Sequence, residues 1–485
     1  MSINFIKIRK VAYLCAAGIT LAACGGGGGS SPGSPPPTSV QPPPTVTSQV
    51  AQGTVTGFGS VFVNGVEWET DDCEVTIDDE SSDETQLEVG DIVEVAGGVD
   101  EEGNASCDTL EYDAEVAGSI DEVGADFIVV VGIRIEVNAD TVFDREIPGG
   151  DVTGLMVGDF VEVSAFDTGD SYIATRIDLE TDDGEIEVHG TVHALDTDNS
   201  TFMIDELRVD YALATFEDFG EQMIANGDQV EVEGQGFNAD GALIADKVEY
   251  EDNNPYDDGE EGDEFEIEGY LSIAEDGSAS VNGTPIVLAS DATFEQGTAD
   301  DFVDGARVEV EGYLDENGSL LVDEVSFDIE SSIEIKAMLD AAPGESTIVL
   351  LGIDFYVSDT TQMEDDSSAD DTYFNLADLM MGDWVEIQAA QAADGTYHAM
   401  RIEKEDQQDF VSIEAEIEAV EAESLVLVGI TILLNAETQL PAGLTDIAEL
   451  MAALQVGDEV EVEGVVQEAE QGGVEIVASS LSLDD

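Results

Sequence analysis

Basic side chains are almost missing: 12 Lys and Arg stand against 112 Asp and Glu in 485 residues, a formal net charge of −100. A surface that binds phosphate cannot be assembled from so few cations, which excludes nucleic acid and disfavours anionic membrane surfaces as partners. The chain has only three His and four Cys, so metal or nucleophilic catalysis by these groups has little to work with. No Gly-x-Ser-x-Gly elbow stands between a strand and a helix (the pattern occurs at Gly29–Gly33, in a Gly/Ser/Pro-rich stretch), and Cys/His nucleophile pairings and phosphate-cradling glycine loops are missing. What is there can fold. The hydrophobic content is 42%, so acidity alone does not imply disorder, and the length allows about three to five ordinary domains or more small ones.

The single long apolar run lies at the start. Met1–Lys10 carries Lys7, Arg9 and Lys10 without an acid, and Val11–Ala23 follows as an apolar stretch. About 13 residues is too short to span a bilayer and fits a signal peptide. The run closes on Leu21-Ala22-Ala23-Cys24, which resembles the lipobox of bacterial lipoproteins. The resemblance implies cleavage before Cys24 and acylation of that residue, with about 0.8 kcal/mol of anchoring per buried methylene. Gly25 rather than Asp after the cysteine points, by the lipoprotein sorting pattern, to the outer membrane, facing either the periplasm or the medium. Gly25–Gly29, Pro35–Pro37 and Pro42–Pro44 then make a tether over 24–50, first floppy and then stiffer. Cleavage would leave nine cations against 112 acids, a net charge of −103. Self-repulsion on that scale predicts a fold that gains stability from screening salt or divalent cations.

The remainder repeats. Val89-Gly90-Asp91-Ile92-Val93-Glu94-Val95 returns at Val157–Val163, Asn226–Val232, Asp304–Val310, Met381–Ile387 and Val456–Val462, with glycines 68, 69, 78, 77 and 75 residues apart. Each copy opens with a strand such as Ile186–Val192 or Phe265–Leu271. A hairpin marked by Asn64-Gly65, Asn282-Gly283 or Val428-Gly429 follows; Asn-Gly between apolar runs suits positive φ. A variable stretch comes next, helical over Asp446–Leu454, with a weaker version at Asn375–Met380. The Gly-Asp turn then starts an alternating Val/Glu strand, buried on one face and wet on the other, and a last hairpin leads to a closing strand. Three strands, an optional helix and two strands predict an all-β chain of six tandem five-stranded modules of OB type, as beads on a string or a stacked rod. SH3-like barrels or small sandwich units stay open as alternatives. The modules fall at 51–115, 116–185, 186–251, 264–330, 331–406 and 407–485, with an acidic linker at 252–263.

The phrase and the element order resemble the bacterial family called domain of unknown function 5666, carried best by Gly53–Gly65. The resemblance implies a fold and a location and brings no activity; it departs from the phrase at Ala306, where the other copies have Asp. Cys73 and Cys107 lie in one module of a chain expected to fold outside the cytoplasm, so they are expected to form a disulfide, stapling a thin core at the terminal repeat. His189 and His193, four apart on a strand, lie about 13 Å apart and cannot share a metal. Calcium is the sharper cofactor expectation. Asp257, Asp258, Glu260, Glu261 and Asp263 crowd the linker, and calcium takes six to eight oxygens from carboxylates and carbonyls, although no EF-hand loop is present. The sequence thus predicts a non-enzymatic envelope lipoprotein, an interaction or spacer array. Envelope protein, glycan or cationic surface are its candidate partners, and a divalent-dependent binding protein is the alternative.

Overall fold

The structure, a computed structural model, describes residues 46–483 apart from 72, 79, 101–103, 169–170, 181–184, 221, 252–262, 275–276, 315–318, 329–330, 345, 370, 393–394, 442–443, 445 and 469–472. Its turns follow from the sequence. The hairpin pairs Asn64-Gly65, Asn282-Gly283 and Val428-Gly429 have both residues at positive φ, as do Val131-Gly132 and Leu351-Gly352, the geometry that matches the twist of paired strands.

The second module shows the architecture of all. Strand Val116–Val123 pairs with Phe127–Val130 on one side and Phe160–Asp167 on the other; Ile133–Glu136 runs parallel to Tyr172–Glu180, which pairs back with Phe160–Asp167. The circuit closes a five-stranded barrel in the strand order of an OB module. Between the third and fourth strands the first, second, fifth and sixth modules carry a short helical turn, which the described residues of the third and fourth lack. It is a 3-10 turn at Leu376–Asp378 behind the Asn375 capping box, and an α-helix at Ile447–Ala453 behind Asp446, whose side chain accepts from Glu449 N. Each barrel is filled by the apolar half of its alternating strands, as with Val161, Val163, Val188 and Val232, all fully buried. Among the described residues no helix is long and apolar enough to cross a membrane.

The recurring Gly-Asp phrase is a structural clamp. Gly90, Gly158, Gly227, Gly305, Gly382 and Gly457 all have φ between +82° and +97°, open to glycine at little cost. Each turn is pinned by two backbone hydrogen bonds to the module's first strand or, at Val192 and Leu339, to the residue just after it; in the first module these are Gly90 N to Val55 O and Val55 N to Asp91 O, both 2.8 Å. The aspartate closes the turn: its carboxylate accepts from the backbone N–H three residues earlier, at 2.7 Å from Glu88, Ala225 and Gln455. Where Ala306 replaces it, Asp304 accepts instead from Ile273 N, 2.7 Å.

The modules are joined two by two. In each barrel the first strand uses its N-terminal half for the fourth strand and its C-terminal half for the second, leaving half an edge unpaired, and exposed edges invite pairing. Val116 and Ala117 of the second module pair antiparallel with Val188 and Glu187 of the third, and Ile333–Lys336 of the fifth with Ser412–Ala415 of the sixth. The first module skips its sequence neighbours: Gln49–Gln52 run parallel to Glu264–Ile267 of the fourth. Three continuous sheets result. The first strand begins at Val46, inside the segment assigned to the tether, because Ile92–Asp100 and the fourth module pair with it there.

Candidate functional site: buried ion nodes between modules

Cations this scarce are worth locating. Arg176 stands on the closing strand of the second module with its side chain 2% exposed. Its Nε donates to Asp178 at 2.8 and 2.9 Å, its Nη1 to the carbonyl of Val89 at 3.0 Å, and its Nη2 pairs with Glu88. Glu364 of the fifth module lies 3.8 Å from Nη1. One guanidinium therefore ties the first, second and fifth modules. Gly90 packs so closely here that a Cβ would come 3.0–3.2 Å from Val142, the Thr175 carbonyl and Arg176.

Two more arginines repeat the device. Arg307 of the fourth module pairs with Glu268 at 2.6 Å, Asp328 at 3.0 Å and Asp140 of the second module at 3.5 Å, and its guanidinium lies 5.8 Å from the centre of the Phe166 ring. Glu268 also accepts from the N–H and hydroxyl of Thr54 in the first module, each 2.9 Å; despite burial, Arg307 and Thr54 hold its carboxyl below the usual range. Arg401 of the fifth module donates from Nη1 to Thr141 O of the second, 3.3 Å, and pairs with Glu403 at 2.9 Å. Gln388 beside it reaches Ala139 O at 2.8 Å. A cavity of about 80 Å³ lies where these modules meet, with Thr54, Asn64, Asp140, Glu268, Arg307 and Arg401 among its lining residues; that is room for a few waters.

Carboxylates gather at the same place in two barrels. Glu231, Glu249 and Glu251 of the third module, and Glu386, Glu403 and Glu405 of the fifth, each bring three carboxylate oxygens within 4.8 Å of one another. Lys247 Nζ sits 3.0 and 2.8 Å from Glu231 and Glu249, and Lys336 Nζ 2.8 Å from Glu386. Burial, with Glu187 nearby, pushes Glu231 up to about 8, and burial with Glu386 nearby pushes Glu405 up to about 7. Such triads can share protons or offer oxygens to a divalent cation. The strand pattern puts glutamates on the wet face of every copy, so the sequence shows the residues without showing which of them converge.

The residues singled out from sequence fare differently. Cys73 and Cys107 form a disulfide across 34 residues; closing a loop of that length contributes about 3–4 kcal/mol in the chain-entropy account. Cys24 and the acids Asp257, Asp258, Glu260 and Glu261 lie outside the described residues. Asp263 is half-buried, its carbonyl accepting from Leu314 N at 3.3 Å. Trp68 and Trp384 are buried core side chains. His189 is caged by acids: burial lowers its pKa, but the hydrogen bond to Glu187 and the charges of Glu115 and Glu231 outweigh that and raise it to about 10.

Comparison with known proteins agrees with this architecture. No curated protein matches the chain. Among solved structures, Drosophila Unr CSD456 is 11% identical, covering 45% of this chain and 97% of its own at a TM-score of 0.12. A multidomain protein with nucleic acid binding domains from Streptococcus pneumoniae TIGR4 is also 11% identical, covering 46% of this chain and 73% of its own at 0.11. Superpositions that poor carry no argument. The family model described as domain of unknown function (DUF5666) matches six times, at residues 49–107, 117–178, 189–249, 260–326, 335–403 and 414–479. Those matches cover most of the chain and coincide with the six barrels: the protein belongs to the DUF5666 family.

Proposed function

We propose that the protein is a non-catalytic envelope lipoprotein, held at the outer membrane through Cys24, whose six barrels make one interaction scaffold. The observation that supports this best is where the cations go. Arg176, Arg307 and Arg401 are buried at junctions between modules, so three of the nine cations beyond the leader join barrels, and the exposed Arg134, Arg145 and Arg208 are too few to make a basic face. Nucleic acid is not among its partners, because phosphate needs the exposed basic face that this charge balance denies. The partners this surface suits are an envelope protein, a glycan or a cationic surface.

Anchoring is tested by Cys24→Ser. The wild type should sediment with membranes and release with detergent, whereas the variant should move at least tenfold toward the soluble fraction. A wild type that is soluble already, or a variant that stays on membranes, contradicts the reading.

A second reading, divalent-dependent binding, is favoured by the recurrence of the carboxylate triad in the third and fifth modules. A cation that binds only the folded state raises stability by mass action. Millimolar calcium, at matched ionic strength, should then raise the thermal midpoint by several degrees beyond magnesium, and Glu231→Gln with Glu386→Gln should remove the difference. Equal midpoints in both salts contradict it.

A further inference from the structure

The six barrels share a landmark that the sequence hides. In each, the closing strand bulges by one residue opposite the fourth strand, skipping Asp108, Thr175, Asp246, Asp323, Met400 or Ser479. The residue after the bulge is Arg176 in the second module, Arg401 in the fifth and Glu324 in the fourth. Their partners correspond: Arg176 faces Ser164 and Val142, Arg401 faces Gln388 and Gln362, and Glu324 faces Glu311 and Thr293. These three faces are therefore structurally equivalent.

Two of them are occupied within the chain. The Arg176 face receives the Gly-Asp turn of the first module, which offers the Glu88 carboxylate and the Val89 carbonyl. The Arg401 face receives the turn around Ala139–Thr141 of the second module, which offers two carbonyls. In both the host supplies donors and the guest acceptors. On the fourth module the same face is a cleft of about 620 Å³, and its chemistry is inverted. Glu311, Asp323 and Glu324 line it beside Leu288, Tyr313 and Leu321. Tyr313 is 41% exposed, and the hydroxyl of Thr293 donates to Glu324 at 3.1 Å. Burial, and then the charges of Glu264, Glu324 and Asp323, push the Glu311 carboxyl upward, as expected where acids face one another.

We propose that the cleft around Glu311 and Glu324 is a docking face for another protein, and that its guest is a basic turn or segment carrying Arg or Lys beside an apolar residue. The geometry is that of the Arg176 and Arg401 junctions with donor and acceptor exchanged. The guest's cation meets Glu311 and Glu324, and its apolar neighbour lies on Tyr313, Leu288 and Leu321. This deepens the scaffold reading by naming one of its interaction surfaces and the chemistry of the partner.

The test uses the full chain and a fluorescein-labelled peptide, acetyl-Gly-Leu-Arg-Arg-Leu-Gly-amide, titrated by anisotropy in 0.15 M salt, where diffuse attraction between exposed charges is screened beyond about 8 Å. Glu311→Gln with Glu324→Gln should weaken binding at least tenfold, and Tyr313→Ala should weaken it severalfold. A control that removes as much charge from exposed positions in the sixth module, Glu416→Gln with Glu423→Gln, should leave it unchanged. Equal losses in both double variants mean general attraction to an acidic surface and overturn the proposal, as does no measurable binding by the wild type. Sedimentation of the same proteins covers another occupant: self-association of the wild type that the Glu311/Glu324 variant abolishes would make the guest a second copy and equally overturn it. None of these readings depends on membrane attachment, so failure of the cleft and failure of the Cys24 anchor are separately visible.

Discussion

Stability should fall as pH rises from 5 to 8, the reverse of ordinary acid denaturation. Burial raises Glu115, Glu162, Glu309 and Glu405 from 4.5 to about 7, and Glu231 to about 8. Neighbouring carboxylates add to the rise, for example Asp78 beside Glu162 and Glu187 beside Glu231. Between 4.5 and those values the folded chain holds protons that the unfolded chain has released. The stability these groups contribute is complete below about 4.5 and is lost as pH passes through 7 to 8, at up to about 1.4 kcal/mol per pH unit for each proton. Loss of global self-repulsion at low pH acts in the same direction. Glu268, Asp83 and Asp196 act the other way, since a lowered pKa gives stability that disappears as pH falls through the folded value, but that loss lies below the ordinary carboxylate range and so outside the window from pH 5 to 8. Urea midpoints at constant ionic strength should therefore drop from pH 5 to pH 8, by several kcal/mol in extrapolated stability. A flat or rising midpoint contradicts the burial of these carboxylates.

Arg176→Ala should cost about 3–5 kcal/mol, the range for removing one partner of a buried ion pair. The loss comes from what remains behind. Asp91 is 3% exposed, Asp178 is mostly buried, and the Val89 carbonyl loses its donor. Glu88→Gln deletes the other end of one of these pairs and should cost under about 1 kcal/mol, because the Glu88 side chain is 55% exposed and solvated pairs contribute little. Arg176→Lys keeps the charge and loses the fork that reaches Asp178 and Val89 together, so it should fall between them. Chemical denaturation of the three variants checks the order.

Much of the barrel is legible in the sequence. The alternation in Val93-Glu94-Val95 gives a strand and its buried face, Asn64-Gly65 gives the hairpin, and Asp446 with Glu449 gives the start of the α-helix at Ile447–Ala453. The partnership of modules is not legible. A period of two tells which face of a strand is buried and says nothing about which edge is paired. Ile186–Thr191 and Glu264–Ile273 read alike, yet the first pairs antiparallel with the module before it and the second parallel with a strand more than 200 residues earlier. The bulge is equally silent, because Asp108, Thr175 and Met400 share no side-chain property that would announce it. Arg176, a lone cation on a strand, looks like any solvated residue until the first module is placed against it.

The central claim is that distant barrels share sheets. Ser48→Cys combined with Glu264→Cys in one chain from Thr45 onward would put one thiol at the position next to Gln49 and the other at position 264, which pairs with Gln49, with Cys73 and Cys107 already joined. A bis-maleimide that reaches about 8–10 Å, two to three residues of extended chain, should link them within a monomer in high yield, seen by mass spectrometry as a bridge between two peptides 216 residues apart. Absence of that bridge, in a protein that otherwise shows its β signature, would contradict the paired architecture and return the modules to a simple string.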